Sequence, residues 1–276
     1  MRGPEILART MSIATRRGSA PRAWQYHSRS DSHSKLACWT LLLDLLLECD
    51  VLREAAASGR VGFGINRVMV GPINKTLDLV VTLVPPGRAD LPRRRFVDLA
   101  APFGVALTDD DRASLDALPL LAEDHKSDVS EVAIALEAKA CMTEHVKSLP
   151  RLHAEILATG YLAKRAAPRC ITVSYSLVNC APTFVSPSAS SKLNRHQQPA
   201  DARRVVEMIS TAVPMVSDSR GYGYDVVGVT TVFCMNDGSP VRVVDDPAVA
   251  PGRHEHAHYE RMVRNICSEY RARFAR

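Results

Sequence analysis

The sequence lacks the features that most quickly assign a chain to a class. Its seven cysteines include no Cys-x-x-Cys pair and their number is odd, which argues against a structural zinc site and against a disulfide framework. Its longest apolar stretch, residues 37–49, is too short to cross a membrane and carries Asp44 and Glu48. We therefore expect buried free thiols, a cytoplasmic protein and no membrane partner.

The chain also lacks a general excess of positive charge. The formal net charge is +5, and residues 1–35 supply all of it with seven basic and two acidic side chains. Removing these from the totals of 35 and 30 leaves 28 basic and 28 acidic residues in the other 241. Any basic surface for nucleic acid must therefore be local rather than a property of the whole chain.

The first residues are rich in Arg and Ser, poor in acids and without hydrophobic periodicity. We expect residues 1–32 to form a flexible basic leader. Two other interpretations stay open, namely a targeting segment of the organellar type or an extension upstream of a start at Met11. With 46% hydrophobic residues the chain can build a core. We expect residues 33–276 to form a single domain, with an inserted helical and loop segment at about 85–129.

Strands and helices alternate along this domain. The stretches INRVMVGPI and LDLVVTLV predict a β-hairpin, and CITVSYSLVNC predicts a central strand beside VAIALEAKA, with a crossover helix between them. A mostly apolar helix precedes them, from Ser32 or Ser34 to about Ala57. The predicted fold class is therefore α/β, with a central mixed β-sheet flanked by helices.

Charged residues interrupt two of the apolar strands. Within residues 130–151, Glu137 and Lys139 are two apart on a strand, so both side chains leave the same face. Asp78 interrupts the apolar run of an earlier strand. Burying such charges costs several kcal/mol unless a metal ion or an anionic substrate compensates them. An acid on one strand and Glu-x-Lys on another can converge on one divalent cation.

This Asp…Glu-x-Lys arrangement resembles the PD-(D/E)XK nuclease superfamily, which includes most type II restriction endonucleases. Leu77 stands where the family usually has proline. The resemblance implies a restriction-endonuclease-like core in which Asp78, Glu137 and the backbone carbonyl of Ala138 hold Mg²⁺. It also implies that Lys139 orients the attacking water or stabilises the phosphate.

The resemblance spans roughly residues 34–184 and has further implications. A carboxylate of the first helix often approaches the metal in this superfamily, so Glu48 or Asp44 is an additional candidate ligand. The alternative is that these two acids, four residues apart, mark the solvent edge of the helix. The family also implies double-stranded DNA as the partner, a homodimer and a bacterial or phage origin.

Two groups of residues are candidates for contacting DNA. Thr143 is positioned to cap a helix that starts at Glu144, and a helix N-terminus with nearby donors suits a phosphate. A run of arginines in the inserted segment forms the second group. For both groups the alternative is an ordinary solvated surface. Candidate base readers also include residues 185–199 and 220–224. The candidate phosphate contacts are Thr143, His145, Lys147, Arg151, Arg93, Arg94 and Arg95.

Two other clusters resemble metal sites only superficially. The three aspartates at 109–111 follow Thr108, and helix capping explains them better than metal binding. Residues 254–260, HEHAHYE, hold three histidines, but their flank has helical period and lacks the acid arrangement of a zinc protease. We predict a metal site at neither cluster.

The function predicted from these residues is that of a Mg²⁺-dependent DNA endonuclease that hydrolyses phosphodiester bonds as a site-specific type II restriction enzyme. One alternative is a nuclease-fold protein of DNA repair, recombination or phage DNA processing. The other is a catalytically silent DNA-binding or structural protein. The intact set of three charged residues argues against the silent alternative, since such a protein has no physical reason to keep buried charges.

Overall fold

The computed structural model describes residues 1–16, 22–69, 75–84, 91–123, 132–187, 191–211 and 223–275. Parts of several predicted segments lie outside these residues. They are residues 17–21 of the predicted leader, the predicted hairpin turn at 70–74, residues 85–90 and 124–129 of the inserted segment, residues 130–131 of the charged strand, and residues 188–190 and 220–222 of the two candidate base-reading segments.

The described elements follow one another in mixed order along the chain. The helices are α1 (Gly3–Met11), α2 (Ser32–Glu48), α3 (Asp50–Ala57), α4 (Asp109–Asp116), α5 (His145–Ala166), α6 (Ala200–Thr211) and α7 (Tyr259–Phe274). The strands are β1 (Thr15–Arg16), β2 (Ala23–Trp24), β3 (Val61–Met69), β4 (Lys75–Leu83), β5 (Arg93–Arg94), β6 (Leu121–Glu123), β7 (Val132–Cys141), β8 (Ile171–Asn179), β9 (Thr183–Val185), β10 (Leu193–Arg195), β11 (Val226–Phe233) and β12 (Arg242–Val243).

In the part of the chain that the structure describes, eight strands form one mixed sheet, in the order β12-β11-β8-β7-β4-β3-β6-β5. Helices α1, α2 and α7 pack on one face of it, and α5 and α6 pack on the other. The predicted α/β class, with a central mixed sheet flanked by helices, is confirmed. None of the described helices combines the length and apolar composition that crossing a membrane requires.

Strand β7 illustrates how the alternation of side chains separates the two layers. Ile134 and Leu136 belong to the core shared with α2, whereas Ala135 packs with α5 on the other face. The predicted β3–β4 hairpin is confirmed, and so is the parallel pairing of β7 with β8 across the α5 crossover. This connection places the Glu-x-Lys segment in the middle of the sheet and directly beneath α5.

The prediction of a flexible leader is wrong for most of the described residues before 33. Helix α1 buries Ile6, Leu7 and Met11 in the same core as α2. The N–H groups of Arg2 and Gly3, at its start, donate to the buried carboxylate of Asp44 over 2.8 and 2.9 Å. The apolar stripe that makes α1 amphipathic is short, and the arginines around it dominate the composition of the segment.

The inserted segment does not only interrupt the sheet, because its described part contributes β5 and β6 to one edge. Helix α4 begins as predicted. The hydroxyl of Thr108 accepts the N–H of Asp111, and the Asp111 side chain accepts the N–H of Thr108. Asp111 also pairs with Arg2 and Arg9. Capping and ion pairing therefore account for this acid.

Two of the cysteines are not free thiols as predicted. Cys49 and Cys267, 218 residues apart, form a disulfide between α7 and the junction of α2 with α3. The single helix predicted up to residue 57 also breaks at Cys49, whose backbone is extended. The other five cysteines are free and buried. Residues so far apart in sequence leave no spacing pattern, so their adjacency could not be predicted.

Candidate active site

Asp78 and Glu137 lie on adjacent antiparallel strands. The register of β4 and β7 pairs Leu79 with Leu136. Asp78 precedes Leu79 and Glu137 follows Leu136, so both acids lie at the same end of this pairing and both line one cleft. The fold thus brings together the two acids that the sequence singled out, although 58 residues lie between them.

Hydrogen bonds and ion pairs hold this set of residues. The N–H of Ala138 donates to Oδ2 of Asp78 over 2.8 Å, so the acid of β4 contacts the backbone of β7. Nζ of Lys139 lies 2.6 Å from Oε1 of Glu137. Glu137 is buried, while Asp78 and Lys139 are half-buried. Away from bulk water, hydrogen bonds and charge interactions between these groups are stronger than on an open surface.

The surroundings of Asp78 disfavour its ionisation in the folded protein. Burial raises the pKa of Asp78 above its ordinary value, and the negative charge of Glu137 raises that pKa further. The N–H of Ala138 and the charge of Lys139 act in the opposite direction without reversing the shift. A cation bound between the acids would relieve this repulsion.

Glu155 belongs to the site, although the sequence analysis did not select it. Its Oε2 lies 3.2 Å from Nζ of Lys139, and its Oε1 lies 3.8 Å from Nε of Arg151. Burial alone would lower the pKa of Lys139, but the charges of Glu137 and Glu155 outweigh burial and raise it. The available signal was the i,i+4 spacing of Arg151 and Glu155 on the helix after Lys139.

These residues surround a cleft of about 590 Å³ between the start of α2 and the start of α5. Helix α2 contributes Ser34, whose hydroxyl donates to the carbonyl of Asp31 over 2.9 Å. Positive and negative side chains are equal in number among the lining residues. The charged residues of the lining are Asp78, Glu137, Glu144, Lys139, Lys147 and Arg151.

Three of the predicted phosphate contacts lie at this cleft, namely Thr143, Lys147 and Arg151. The side chains of Lys147 and Arg151 are each 78% exposed, so they stand at its mouth. Helix α5 begins at His145 without a side-chain cap, so the predicted capping role of Thr143 is wrong.

His145 is not available to DNA. Its side chain is buried, and its Nε2 lies 2.6 Å from the carbonyl oxygen of Asn179. Because a carbonyl only accepts, the imidazole donates this hydrogen bond. Burial also lowers the pKa of His145, which favours the neutral form. The prediction of a phosphate contact is wrong for this residue, which instead ties α5 to the end of β8.

The arginine run is also remote from the cleft. Strands β4, β3 and β6 separate β5 from β7. Arg94 pairs with Glu123 at 3.0 Å, Arg95 pairs with Asp98 at 2.8 Å, and Arg93 donates to a backbone carbonyl of α3. These contacts fit the alternative of a solvated basic segment, and the structure does not bring the run to the candidate site.

The acids of the first helix do not reach the cleft either. Glu48 is exposed at the last residue of α2, roughly 20 Å from Ser34 along a helix that rises about 1.5 Å per residue. Asp44 is buried and is bonded to the start of α1. It is therefore neither a ligand at this cleft nor part of a solvent edge.

The structure shows one other grouping of potential metal ligands among the described residues. Cys49, Asp50 and Cys267 lie together, but the two cysteines are joined in the disulfide. The three histidines at 254–258 precede α7, which begins at Tyr259.

Comparisons of this chain with protein-family models, with curated proteins and with solved structures found no match. The resemblance to the PD-(D/E)XK superfamily accordingly rests on Asp78, Glu137 and Lys139 and on the order of the elements that carry them. The function has to be argued from the geometry and charge of the cleft.

Proposed function

We propose that this protein is a Mg²⁺-dependent DNA endonuclease of the PD-(D/E)XK type. The observation that carries the proposal is the single cleft that Asp78, Glu137 and Lys139 share, with Asp78 hydrogen-bonded to the backbone of Ala138. The order of elements supports it, since a hairpin is followed by the Glu-x-Lys strand, a helix and a parallel strand. On this proposal, β3, β4, β7 and β8 belong to a restriction-endonuclease-like core.

The donor set fits Mg²⁺. This ion takes oxygen ligands and usually keeps several waters, so one or two protein carboxylates are enough to hold it. Asp78 and Glu137 supply the carboxylates, and Ala138 lines the same cleft, which makes its carbonyl a further candidate. When bound, the ion would neutralise charge on the scissile phosphate and make a bound water more acidic.

The chain's own groups have distinct roles in this proposal. Lys139 presents a compact positive charge that can orient the attacking water and stabilise the phosphate as negative charge builds up on it. Glu155 keeps Lys139 in the cleft when Glu137 is engaged by the cation. The N–H of Ala138 orients Asp78. The expected products carry 5′-phosphate and 3′-hydroxyl ends.

The charge of the cleft favours an anionic substrate once a divalent cation is present. The six charged lining residues sum to zero, so Mg²⁺ would leave an excess of two positive charges. Lys147 and Arg151 at the mouth are placed to contact phosphates, and the N-terminal end of α5 carries a partial positive charge. We infer that the DNA backbone crosses the mouth of the cleft at the start of α5.

The proposal is tested by incubating the protein with mixed-sequence duplex DNA in Mg²⁺ or in EDTA and sequencing the ends of any products. We expect cleavage only with Mg²⁺, and none by Glu137→Ala or Lys139→Ala. The matched control is Arg95→Ala, which is remote from the cleft and should cleave like wild type. Cleavage in EDTA, or unchanged cleavage by Glu137→Ala, would contradict the assignment.

The cleavage products also distinguish a site-specific restriction enzyme from a nuclease of DNA repair or processing. Cuts at fixed sequences by a homodimer, measured by sedimentation, would make the protein a site-specific restriction enzyme, because two-fold proteins match palindromic sites. Cuts that depend on DNA structure or on ends would instead indicate a role in DNA repair or processing.

A further inference from the structure

The strands β9 and β10 form a two-stranded antiparallel ribbon that is separate from the main sheet. One of its faces is turned toward the protein. Phe184 is fully buried there, and Nδ2 of the facing Asn194 donates to Oγ of Ser186 over 2.6 Å. Because side chains alternate along a strand, Leu193 and Arg195 project from the opposite face.

That outward face carries side chains suited to base edges. Arg195 is exposed and pairs in register with Thr183. Leu193 is 50% exposed and pairs with Val185. Together, an apolar side chain and an arginine suit a partner that offers both a methyl group and hydrogen-bond acceptors.

The ribbon stands beside the candidate active site. A groove of about 550 Å³ runs between the ribbon and the start of α5, and it shares Thr143, Glu144 and Lys147 with the cleft. Lys192 and Arg195 add positive charge on the ribbon side, against Asp201 and the shared Glu144. A ligand in the groove would therefore be continuous with one in the cleft.

The ribbon is also held in a fixed position. The ring nitrogens of His196 each lie 2.8 Å from a carbonyl oxygen, Nε2 from that of Thr143 and Nδ1 from that of Ala181. The N–H of Val185 donates to the carbonyl of Met235 over 2.9 Å. Base readout requires side chains placed accurately relative to the bound phosphates, and a tethered ribbon meets that requirement better than a free loop.

We propose that the outward face of the β9–β10 ribbon enters the major groove of duplex DNA and reads base edges beside the cleaved phosphate. The major groove is about 12 Å wide and admits a two-stranded ribbon. Arg195 would donate two hydrogen bonds to O6 and N7 of a guanine, and Leu193 would contact the methyl group of a thymine. This inference rests on the proposed nuclease function and assigns its sequence preference to named residues.

The test distinguishes recognition of bases by Arg195 and Leu193 from a general electrostatic attraction to DNA. A pool of duplexes with a randomised centre is bound in EDTA by the wild-type chain, by Arg195→Ala, by Arg195→Lys and by Leu193→Ala, and the bound fraction is sequenced. Arg264→Ala is the matched control, because its side chain is 70% exposed on α7. Circular dichroism and thermal unfolding confirm that each variant is folded.

We expect the wild type to enrich a motif that contains guanine. Arg195→Ala and Arg195→Lys should both lose the preference for that guanine by roughly 5- to 150-fold, because lysine keeps the charge but not the two-pronged donor geometry. Leu193→Ala should relax the preference at a neighbouring thymine, and Arg264→Ala should keep the wild-type motif.

An unchanged motif in folded Arg195→Ala and Leu193→Ala would overturn the ribbon assignment and leave the nuclease proposal intact. Binding or cleavage by the wild type without any sequence preference would also overturn the ribbon assignment and leave the nuclease proposal intact. If the wild type neither binds nor cleaves duplex DNA, both proposals are wrong.

Discussion

Helix α5 contacts two clusters of charged side chains, and they differ in their balance of acidic and basic groups. Near the C-terminus of α5, Lys164 lies 2.6 Å from Asp225, whose other oxygen lies 2.9 Å from Arg273. The N–H of Thr172 adds a third contact over 2.8 Å. In the cleft, the single amine of Lys139 contacts two acids, Glu137 and Glu155.

The pKa shifts of the two clusters differ in direction. Burial alone would raise the pKa of Asp225, but hydrogen bonds from Arg273 and Lys164 outweigh it and hold that pKa below its ordinary value. In the cleft, burial raises the pKa of Asp78, and the negative charge of Glu137 raises the pKa of Asp78 further. The first cluster is complete within the chain and stabilises the fold. On our proposal, a cation bound in the second would offset its negative charge, and such perturbed pKa values are typical of a functional site.

The largest expected effect is the loss of stability in Asp225→Asn. Removing this carboxylate leaves Lys164, whose side chain is only 10% exposed, without its closest partner, and breaking a buried pair typically costs about 3–5 kcal/mol. Denaturant unfolding measures the change. The matched variant Asp78→Asn should lose little stability because it removes repulsion, and an equal loss in both variants would contradict the comparison.

The same cluster predicts a dependence on pH. The pKa of Asp225 is lower in the folded than in the unfolded protein. The stability that Asp225 contributes is therefore fully present above its unfolded-state pKa of about 3.9, and it is lost as the pH falls through its folded-state pKa. Acid unfolding of the wild type should therefore be steeper than that of Asp225→Asn. Parallel curves for the two proteins would show that Asp225 does not supply this term.

Catalysis, unlike stability, should depend more on the carboxylates of the cleft than on Asp225. We expect Glu137→Gln to lower DNA cleavage by about 10²- to 10³-fold, comparable to the loss of a group that stabilises transition-state charge, while folding is retained. Glu144→Gln is the matched control, since Glu144 lines the same cleft but is exposed. Similar activity in the two variants would remove Glu137 from the site.

Metal should stabilise the cleft and leave the Asp225 cluster unaffected. At about 100 times its dissociation constant, Mg²⁺ should raise the unfolding free energy by about 2.7 kcal/mol. The gain should disappear on addition of EDTA and be absent in Glu137→Gln. Thermal unfolding with and without Mg²⁺ measures it, and an equal gain in Glu137→Gln would mean that the ion binds elsewhere.

The smallest expected effect is that of Glu155→Gln. Because Glu155 retains Lys139 without touching the substrate, we expect about a tenfold fall in cleavage and a lower pKa of Lys139. The chain has seven lysines, so ¹³C-methylated lysine signals can be followed through a pH titration, with Lys139→Arg for assignment. An unchanged Lys139 pKa would show that Glu155 does not act through this pair.

The sequence was most informative where local spacing decides geometry. The alternation in β7 and β8 predicted two buried neighbouring strands, and the two-residue interval of Glu137 and Lys139 placed them on one face. Thr108 predicted the start of α4 through its capping role. It was least informative where contacts join distant segments. The packing of α1, the burial of His145 and the ion pair of Glu155 depend on elements that are not adjacent in sequence.

Composition and periodicity by themselves predicted the α/β class, the strands β3, β4, β7 and β8 and the three charged residues of interest, because these depend on side-chain properties that repeat over a few positions. Only the tertiary structure decided which charges meet. Asp78 and Glu137 line one cleft because β4 pairs with β7, the Arg93–Arg95 run lies at a distant edge of the sheet, and Cys49 is bonded to Cys267. The physical reason is that long-range contacts follow from how whole elements pack, which no short stretch of sequence specifies.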